Sequence, residues 1–452
     1  MRPVDETLLE IVDVLSEQGW DEVEVVHKTG RSRSHRFRPG GFVSSLRREE
    51  GWAVRSANLR RSFFYAAAGS PDPEAPWPEG DGLGFRLPSS RPVPPWKEPA
   101  ELDAPLVGET EAQALFESLD RELDTELPGA RLVQGHLDDG SSEQQLASSR
   151  DIHCVVRQRA AMLWIEARLD ARRGEPGRSA GAGLELMARD ARRFGPRELA
   201  RRLADRLMVA QRGVAPPRDR GEFLLAPDVV VALLEALAPL WLGPEAPRKV
   251  APFIDRTGHV ASRAISLVDD GRLAGAVTEA PVDGEGQPTR EIMLIDQGVY
   301  RQPLLSWRQL PELVEGHGIR RAEAKASGCS RRASWRDLPG PGPTHLYLRS
   351  DQTVGVGTLL QDLARGYYLL TTWGAVRFDP TSGRFAAPVT GFSIEGGRAT
   401  HSVRAAWLVG SVSSLLTGVV AVARDLTFLP RGQGLIGAPS ALVKGLELRG
   451  AP

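Results

Sequence analysis

The spacing of apolar residues predicts alternating helices and strands in the first half of the chain. Apolar side chains recur at helical spacing over residues 4–18, about 109–123 and about 196–211, which predicts three amphipathic helices. Stretches typical of strands lie between these helices, at 23–27, 34–46, 52–57, 130–137, 151–160 and 161–170. We therefore expect an N-terminal α+β domain.

The second half has a different pattern of apolar residues, with short strand-like segments in place of most of the helices. One apolar helix is predicted over 227–243, and its aliphatic residues cover nearly the whole circumference, which indicates burial on most sides. Short β-rich segments follow, separated by turns such as DDG, IDQG, TSG and IEGG. This pattern predicts a C-terminal antiparallel β domain, barrel-like or a sandwich, so that the whole chain is of the α+β class.

The sequence RGVAPPRDRGE, at 212–222, separates the α+β half of the chain from the β-rich half. It predicts an N-terminal α+β domain over 1–212 and a C-terminal antiparallel β domain over 222–452. Residues 70–105 are rich in proline and glycine, and we expect them to form a loop or linker within the first domain.

One stretch is apolar enough to be mistaken for a membrane span. Ala405–Ala423 contains 19 residues without a charge, close to the roughly 20 that cross a bilayer. Its glycines and hydroxyl residues favour instead a strand, a short helix capped by Ser411 and a second strand. The N-terminal helix carries acidic residues from Asp5 onward and does not resemble a signal peptide. We therefore expect a cytoplasmic protein that does not enter the membrane.

Charge and composition exclude bulk attraction to polyanions. The 57 Lys and Arg residues balance 58 Asp and Glu residues, and the mean hydropathy is −0.25, as in an ordinary soluble protein. A local basic stretch with interleaved aromatics runs from His27 to Arg61. It is typical of a solvated hairpin face, and the alternative is a module that binds nucleic acid.

Familiar catalytic motifs are missing from the sequence. It contains no Walker A loop, no GxSxG elbow and no HExxH zinc helix. Three histidines lie in or beside predicted strands and could converge on a diverged metal site, although strand histidines are commonly structural. These are His259, His345 and His401.

The two cysteines form no CxxC motif. Cys154 follows His153 in a predicted strand, where neighbouring side chains point to opposite faces, so the two are not expected to act together. Cys329 is expected in a loop, where the adjacent Arg331 and Arg332 would lower the pKa of its thiol.

Four segments of the C-terminal half resemble the TldD/PmbA (TldE) family, also called the modulator-of-gyrase metalloprotease family. They are 266–300, 344–351, 391–426 and 436–446, in the order in which the family has them. The N-terminal segments 22–37, 148–167 and 196–207 are similar more loosely. The Pro-rich residues 70–105 depart from the family pattern.

The resemblance implies paired paralogues, of which the TldD type carries a metal-binding H-E-x-x-x-H on the helix that opens the C-terminal domain. Here the corresponding helix reads VVVALLEALAPLWLG, with Glu235 as its only acid and with no histidine. No cysteine follows Cys329 that could serve as a late ligand. The chain therefore resembles the PmbA/TldE type, and no catalytic, cofactor-binding or metal-ligating residue is assigned to it.

The resemblance further implies a non-catalytic subunit that forms a heterodimer with a TldD-like catalytic subunit, which would hold the metal, expected to be zinc. Together they would enclose a channel for extended peptide substrates in proteolysis or peptide maturation. Residues 391–403 are the candidate segment to line it, and the alternative is an ordinary hairpin. Two alternatives remain open. One is a stand-alone peptidase with a diverged metal site, and the other is a binding module that uses the basic N-terminal hairpin.

Overall fold

The computed structural model describes residues 3–72, 74, 77, 85–171, 179–311, 328–332, 334–432 and 434–450. Parts of the Pro-rich segment 70–105, residues 172–178 and His317 lie outside the described residues.

Seven α-helices lie in the described ranges: α1 Glu6–Glu17, α2 Glu109–Glu126, α3 Pro196–Arg212, α4 Pro227–Ala236, α5 Ala246–Val250, α6 Val356–Asp362 and α7 Val412–Thr417. The first three match the helices predicted from apolar spacing. Local chemistry fixes the starts of two of them. The Asp5 side chain accepts a hydrogen bond from the Thr7 amide at 3.0 Å, and α3 begins with Pro196.

Six strands form the N-terminal sheet: β1 Glu22–Arg38, β2 Gly41–Ala57, β3 Ser62–Ala67, β4 Ala130–Ser148, β5 His153–Leu169 and β6 Ala180–Ala188. Their order is β3-β2-β1-β4-β5-β6, and every pairing is antiparallel. Helices α2 and α3 cover one face of this sheet, where Phe116, Leu163 and Leu203 share a buried core.

The N-terminal strands are longer than their apolar segments predict. The predicted strands 151–160 and 161–170 are one continuous strand, β5, and the predicted strands 23–27 and 34–46 divide between the two 17-residue strands β1 and β2. Each of the inner strands is paired on both sides, so its backbone groups are satisfied whether its side chains are apolar or polar.

The remaining strands belong to the C-terminal half: β7 Glu222–Leu225, β8 Ser266–Asp270, β9 Glu291–Asp296, β10 Val299–Tyr300, β11 Ser330–Arg331, β12 Gly340–Pro341, β13 His345–Arg349, β14 Thr353–Val354, β15 Arg365–Thr372, β16 Arg377–Asp379, β17 Arg384–Glu395, β18 Arg398–Ser411, β19 Val419–Ala423, β20 Thr427–Arg431, β21 Gly434–Ala438, β22 Ala441–Val443 and β23 Glu447–Gly450.

These strands form two large sheets and one small one. One sheet has the order β10-β9-β8-β13-β21-β20, the other β14-β19-β22-β7-β15-β17-β18-β23 with β16 beside β17, and β11 pairs with β12. Most pairs are antiparallel, but β7/β15, β13/β21 and β14/β19 are parallel. The α+β class is confirmed, and the described strands form layers that do not close into a barrel.

Helix α4 is buried within the C-terminal core. Val229, Leu233 and Leu234 belong to the same buried cluster as Leu346 of β13 and Leu369 of β15. The α-helix is shorter than predicted: it ends at Ala236 and a 3₁₀ turn, Ala238–Leu240, follows. Pro239 explains this end, because proline lacks the amide that would continue the ladder.

The uncharged stretch Ala405–Ala423 has the predicted form. Strand β18 ends at Ser411, whose side chain caps α7 by accepting a hydrogen bond from the Ser414 amide at 3.1 Å. Strand β19 follows. In the part of the chain that the structure describes, no helix combines the length and the apolarity that crossing a bilayer requires.

The segment expected to separate the domains lies between α3 and β7. Within it Val214 forms a bridge to Val403 and Asp219 a bridge to Leu448. These bridges pair the segment with the C-terminal sheet. We retain a division into domains 1–212 and 222–452 as a proposal.

Candidate functional site

A cleft of about 630 Å³ lies beside the end of α4. Residues of α4, β6 and β20 contribute to its walls, among them Glu235, Met187 and Arg431. Strands β6 and β20 are each the terminal strand of their sheets. The cleft is therefore bounded by two sheet edges, one from each half of the chain.

Arg431 joins two carboxylates across this cleft. Its Nε lies 2.9 Å from Oε2 of Glu235, and its Nη1 donates to Oε2 of Glu185 at 3.3 Å. Partial burial raises the pKa of Glu235, and the Arg431 charge opposes that rise. The acid in the last turn of α4 is thus bound by a guanidinium.

This arrangement does not fit a metal ion. The guanidinium of Arg431 lies against Oε2 of Glu235, so a metal ion bound at this oxygen would be repelled by a like charge. Among the residues that the structure describes, no three His, Cys, Asp or Glu side chains are grouped so that they could hold a metal.

The three candidate histidines do not converge on a metal site. His345 is fully buried; its Nδ1 lies 2.7 Å from the Asp270 carbonyl and its Nε2 3.0 Å from Oγ1 of Thr278. Burial lowers the pKa of His345 to about 4, so the ring is neutral. The Nδ1 of His259 contacts Oγ1 of Thr257 at 2.8 Å, and His401 lies exposed on β18.

The expectation that Arg331 and Arg332 lower the pKa of the Cys329 thiol is wrong. The side chain is 1% exposed, and burial raises the pKa of its thiol well above the ordinary value, with the carboxylates of Asp269 and Asp283 adding to the rise. Burial likewise raises the pKa of Cys154, to about 12. The neighbouring arginines do not offset the loss of solvent.

The face of the N-terminal sheet opposite α2 and α3 carries a set of mostly small side chains. The register aligns Gly30 with Ser142 and Gln158, and aligns Ser32 with Gly140 and Ala160. Residues directly opposite one another point to the same face. We call this set the small-residue face: Gly30, Ser32, Gly140, Ser142, Gln158 and Ala160. Along β5 it leads to Met162, which lines the cleft.

A chamber of about 90 Å³ adjoins this face. Lys28 and Gln144 line it from the sheet, and Asp283, Ser330 and Arg331 line it from the C-terminal half. Thr278 lines both the chamber and the cleft. The chamber therefore adjoins both the cleft and the small-residue face.

Comparison with known proteins assigns this architecture to a family. The model of the PmbA/TldA metallopeptidase C-terminal domain matches residues 219–450, more than half of the chain. The chain belongs to the PmbA/TldD metallopeptidase family.

Curated relatives of this PmbA/TldD protein include two named metalloprotease TldD homologs. One, from Haemophilus influenzae, is 28% identical over 190 residues, which cover 41% of this chain and 36% of the relative. The other, from Buchnera aphidicola, is 26% identical over 206 residues, covering 42% of this chain and 40% of the relative. The matches thus span about two fifths of the relatives' length.

Two solved structures share the fold along nearly the whole chain. TldE from Thermococcus kodakarensis has a TM-score of 0.83 at 18% identity, covering 98% of this chain and 100% of its own. A candidate modulator of a DNA gyrase from Thermotoga maritima has a TM-score of 0.81 at 16% identity, covering 98% and 99%.

Residues 391–403, the candidate channel-lining segment of this PmbA/TldD protein, form a hairpin away from the cleft. Residues 391–403 belong to β17, β18 and the turn at Gly396 and Gly397. None of them lines the cleft, the chamber or the small-residue face. That these residues line a channel formed with a partner subunit stays a prediction.

The Pro-rich segment packs across both halves. Its Leu87 amide donates to Oε2 of Glu22 at 3.0 Å, and Trp96 Nε1 donates to Oε1 of Glu279 at 3.2 Å. Arg272 in turn donates to the Pro95 carbonyl at 2.6 Å. Proline-rich sequence gives no periodicity from which these contacts could be predicted.

A buried ion cluster also joins the halves. Arg55 donates to both carboxylate oxygens of Glu24, at 2.7 and 2.8 Å, and Arg332 contacts the same carboxylate. Burial alone would raise the pKa of Glu24, but the charges of Arg332 and Arg55 outweigh it and lower the pKa. Arg55, one of the residues of the basic stretch, is therefore structural and not part of a solvated face.

Proposed function

We propose that this chain is a PmbA/TldE-type non-catalytic subunit of a heterodimeric TldD/TldE-type metallopeptidase. It pairs with a TldD-like catalytic subunit, which holds the metal, expected to be zinc. Its own part is to help form the channel that receives extended peptides during proteolysis or peptide maturation. We expect the complex to be cytoplasmic.

The observation that carries this proposal is the ion pair on α4. In a catalytic subunit the acid of this helix must be free to act as a base toward metal-bound water. Here Glu235 is held 2.9 Å from the Arg431 guanidinium, and the helix has no histidine. A subunit of this kind contributes to activity by shaping the site of another.

The shape of the cleft supports a role in holding peptide. Exposed sheet edges bind extended chains through main-chain hydrogen bonds, and the edges of β6 and β20 both border the cleft. Met162 and Met187 line it with flexible apolar side chains, which adapt to varied sequences.

Co-expression with the TldD-like protein encoded nearest to this chain tests the pairing. We expect the two chains to co-elute on size-exclusion chromatography and to cleave unfolded peptides that neither cleaves alone. A permanent interface of this kind should bury on the order of 2,000 Å² or more. Failure to associate, together with full activity of the TldD-like chain by itself, would show that the proposal is wrong.

A variant separates pairing from peptide binding. Ala236 lines the cleft, and Ala236→Trp should fill it, lowering peptidase activity of the complex while co-elution persists. The matched control is Ala114→Trp, at an exposed position on α2. Equal activity of the two variants would contradict a role for the cleft.

The alternative of a stand-alone peptidase makes the opposite prediction for the isolated chain. We expect the purified protein to bind no stoichiometric zinc and to cleave no peptide. One equivalent of tightly bound zinc, lost when His345 or His401 is replaced, would favour the diverged enzyme instead.

A further inference from the structure

The chamber beside the small-residue face has the size of one small polar group. Its volume of about 90 Å³ admits a carboxylate or a few water molecules but not a large side chain. Lys28, Ser142 and Gln158 line both the chamber and the adjacent sheet surface, whose floor is the small-residue face. A group in the chamber can therefore continue onto that face.

Cations dominate the chamber wall. Lys28, Arg331 and Arg332 line it, against the single carboxylate of Asp283. Arg332 forms an ion pair with Glu24. Lys28 is half-buried, and among the described residues no carboxylate lies within ion-pair distance of its ammonium. A partly desolvated ammonium without a counter-charge favours the approach of an anion.

The carboxylate of Asp283 is already bound by backbone amides. Its oxygens accept hydrogen bonds from the backbone amides of Glu285, Gln287 and Ser330 at 2.9–3.0 Å. Burial, together with the charge of Glu285, raises the pKa of Asp283, and the three amide hydrogen bonds oppose that rise.

Ser330 adds an independent sign of a missing ligand. It is 2% exposed and lines the chamber, and its hydroxyl has no hydrogen-bond partner among the residues that the structure describes. A buried hydroxyl without a partner costs free energy, and an acceptor in the chamber would satisfy it.

We propose that the chamber binds the C-terminal carboxylate of an extended peptide whose preceding residues lie along the small-residue face. Lys28 and Ser330 donate to the carboxylate, and Arg331 adds positive charge. The peptide leads toward the cleft: Gln158 and Met162 are four positions apart on β5, or about 13 Å, so roughly four peptide residues bridge the two. This inference rests on the proposed function, since it assumes that peptide occupies these surfaces.

The test uses a fluorescein-labelled hexapeptide of alanine and serine, prepared as the free acid and as the C-terminal amide. Binding is measured by fluorescence anisotropy to the full chain, alone and with an inactivated TldD-like partner. We expect the acid to bind about tenfold more tightly than the amide, as for a hydrogen bond to a charged group. Lys28→Gln should remove that preference, and Ser330→Ala should reduce it.

Lys249→Gln is the matched control, since Lys249 is exposed on α5 and does not line the chamber. It should keep the tenfold preference. Thermal melts of all variants confirm that they fold.

Three outcomes overturn the inference in distinguishable ways. If acid and amide bind equally and Ala236→Trp abolishes both, the peptide-binding surface is supported but the carboxylate subsite is wrong. Equal binding of the acid and of an amide peptide ending in aspartate assigns the chamber to acidic side chains. If no peptide binds to either preparation, the proposed function falls as well.

Discussion

The indole of Trp335 lies against Gly51 of β2 so closely that a Cβ on residue 51 would come 2.0 Å from the ring atom Cε2. Trp335 is 2% exposed, and its Nε1 donates to Oε1 of Glu49 at 3.0 Å. Gly51 pairs with Lys28 across the ladder. A residue of the C-terminal half thus covers the strand beside the chamber.

This contact predicts that Gly51→Ala destabilises the protein. The methyl group would displace a large buried ring, and overpacking of this kind costs about 1–3 kcal/mol in the free energy of unfolding. Chemical denaturation measures it. Gly181→Ala on β6 is the control, because the nearest atom to its Cβ is 3.9 Å away; equal losses for the two variants would contradict the contact.

Leu234 on α4 is 3% exposed. Leu234→Ala should cost about 2–5 kcal/mol in the free energy of unfolding, because it leaves a cavity in the core. Leu59→Ala, at a position 94% exposed, should change it by less than about 0.5 kcal/mol. A loss below about 1 kcal/mol at Leu234 would place α4 at a surface.

Glu24→Ala removes the anion between two buried arginines. Both side chains remain buried, at 4% exposure for Arg55 and 2% for Arg332, and lose their shared partner. Breaking a buried pair in this way typically costs about 3–5 kcal/mol. Glu198→Ala breaks an exposed pair with Arg201 and should cost less than about 1 kcal/mol. Urea denaturation compares the two, and similar costs would mean that the cluster contributes no more than a surface pair.

Asp269 should make stability depend on pH. It is 1% exposed, and burial raises its pKa to about 7, although its Oδ1 accepts a hydrogen bond from the Thr344 amide at 2.7 Å. Between pH 4 and 7 the folded protein holds a proton that the unfolded chain has lost. Stability therefore falls as pH rises through this window, by at most about 1.4 kcal/mol per pH unit from this group.

Asp269→Asn should remove this slope. The free energy of unfolding of the variant should therefore rise relative to that of the wild type between pH 5 and 7, and the difference should be constant above about pH 8. Asp255→Asn is the control. Hydrogen bonds from Thr257 and His259 lower the pKa of Asp255, so its titration lies below pH 5 and its effect should be constant from pH 5 to 8. Parallel pH profiles for Asp269→Asn and the wild type would contradict the assignment.

Much of the helical structure could be predicted because its causes are local. The apolar spacing of α1, α2 and α3 and the Ser411 cap of α7 each involve residues within a few positions of one another. The family resemblance likewise rested on contiguous motifs, and the model match over 219–450 confirms it.

The candidate site could be predicted only in part. Sequence reasoning singled out Glu235 and the absence of histidine on its helix, but it gave no sign of Arg431. The small-residue face was also missed, because glycine and serine in a strand carry no apolar alternation from which to infer the face they occupy.

The sequence by itself therefore determined the local features of this protein, namely its helices and turns and the lack of a metal-binding histidine pair on α4. It also determined the family. Only the tertiary structure decided the state of the chemical groups. Arg431 meets Glu235 across 196 positions of chain, and Arg332 meets Glu24 across 308. The pKa of the Cys329 thiol is raised and not lowered, because folding removed its solvent while Arg332 pairs with the distant Glu24. Charge pairing and burial depend on which distant residues the fold brings together, and no local pattern records that.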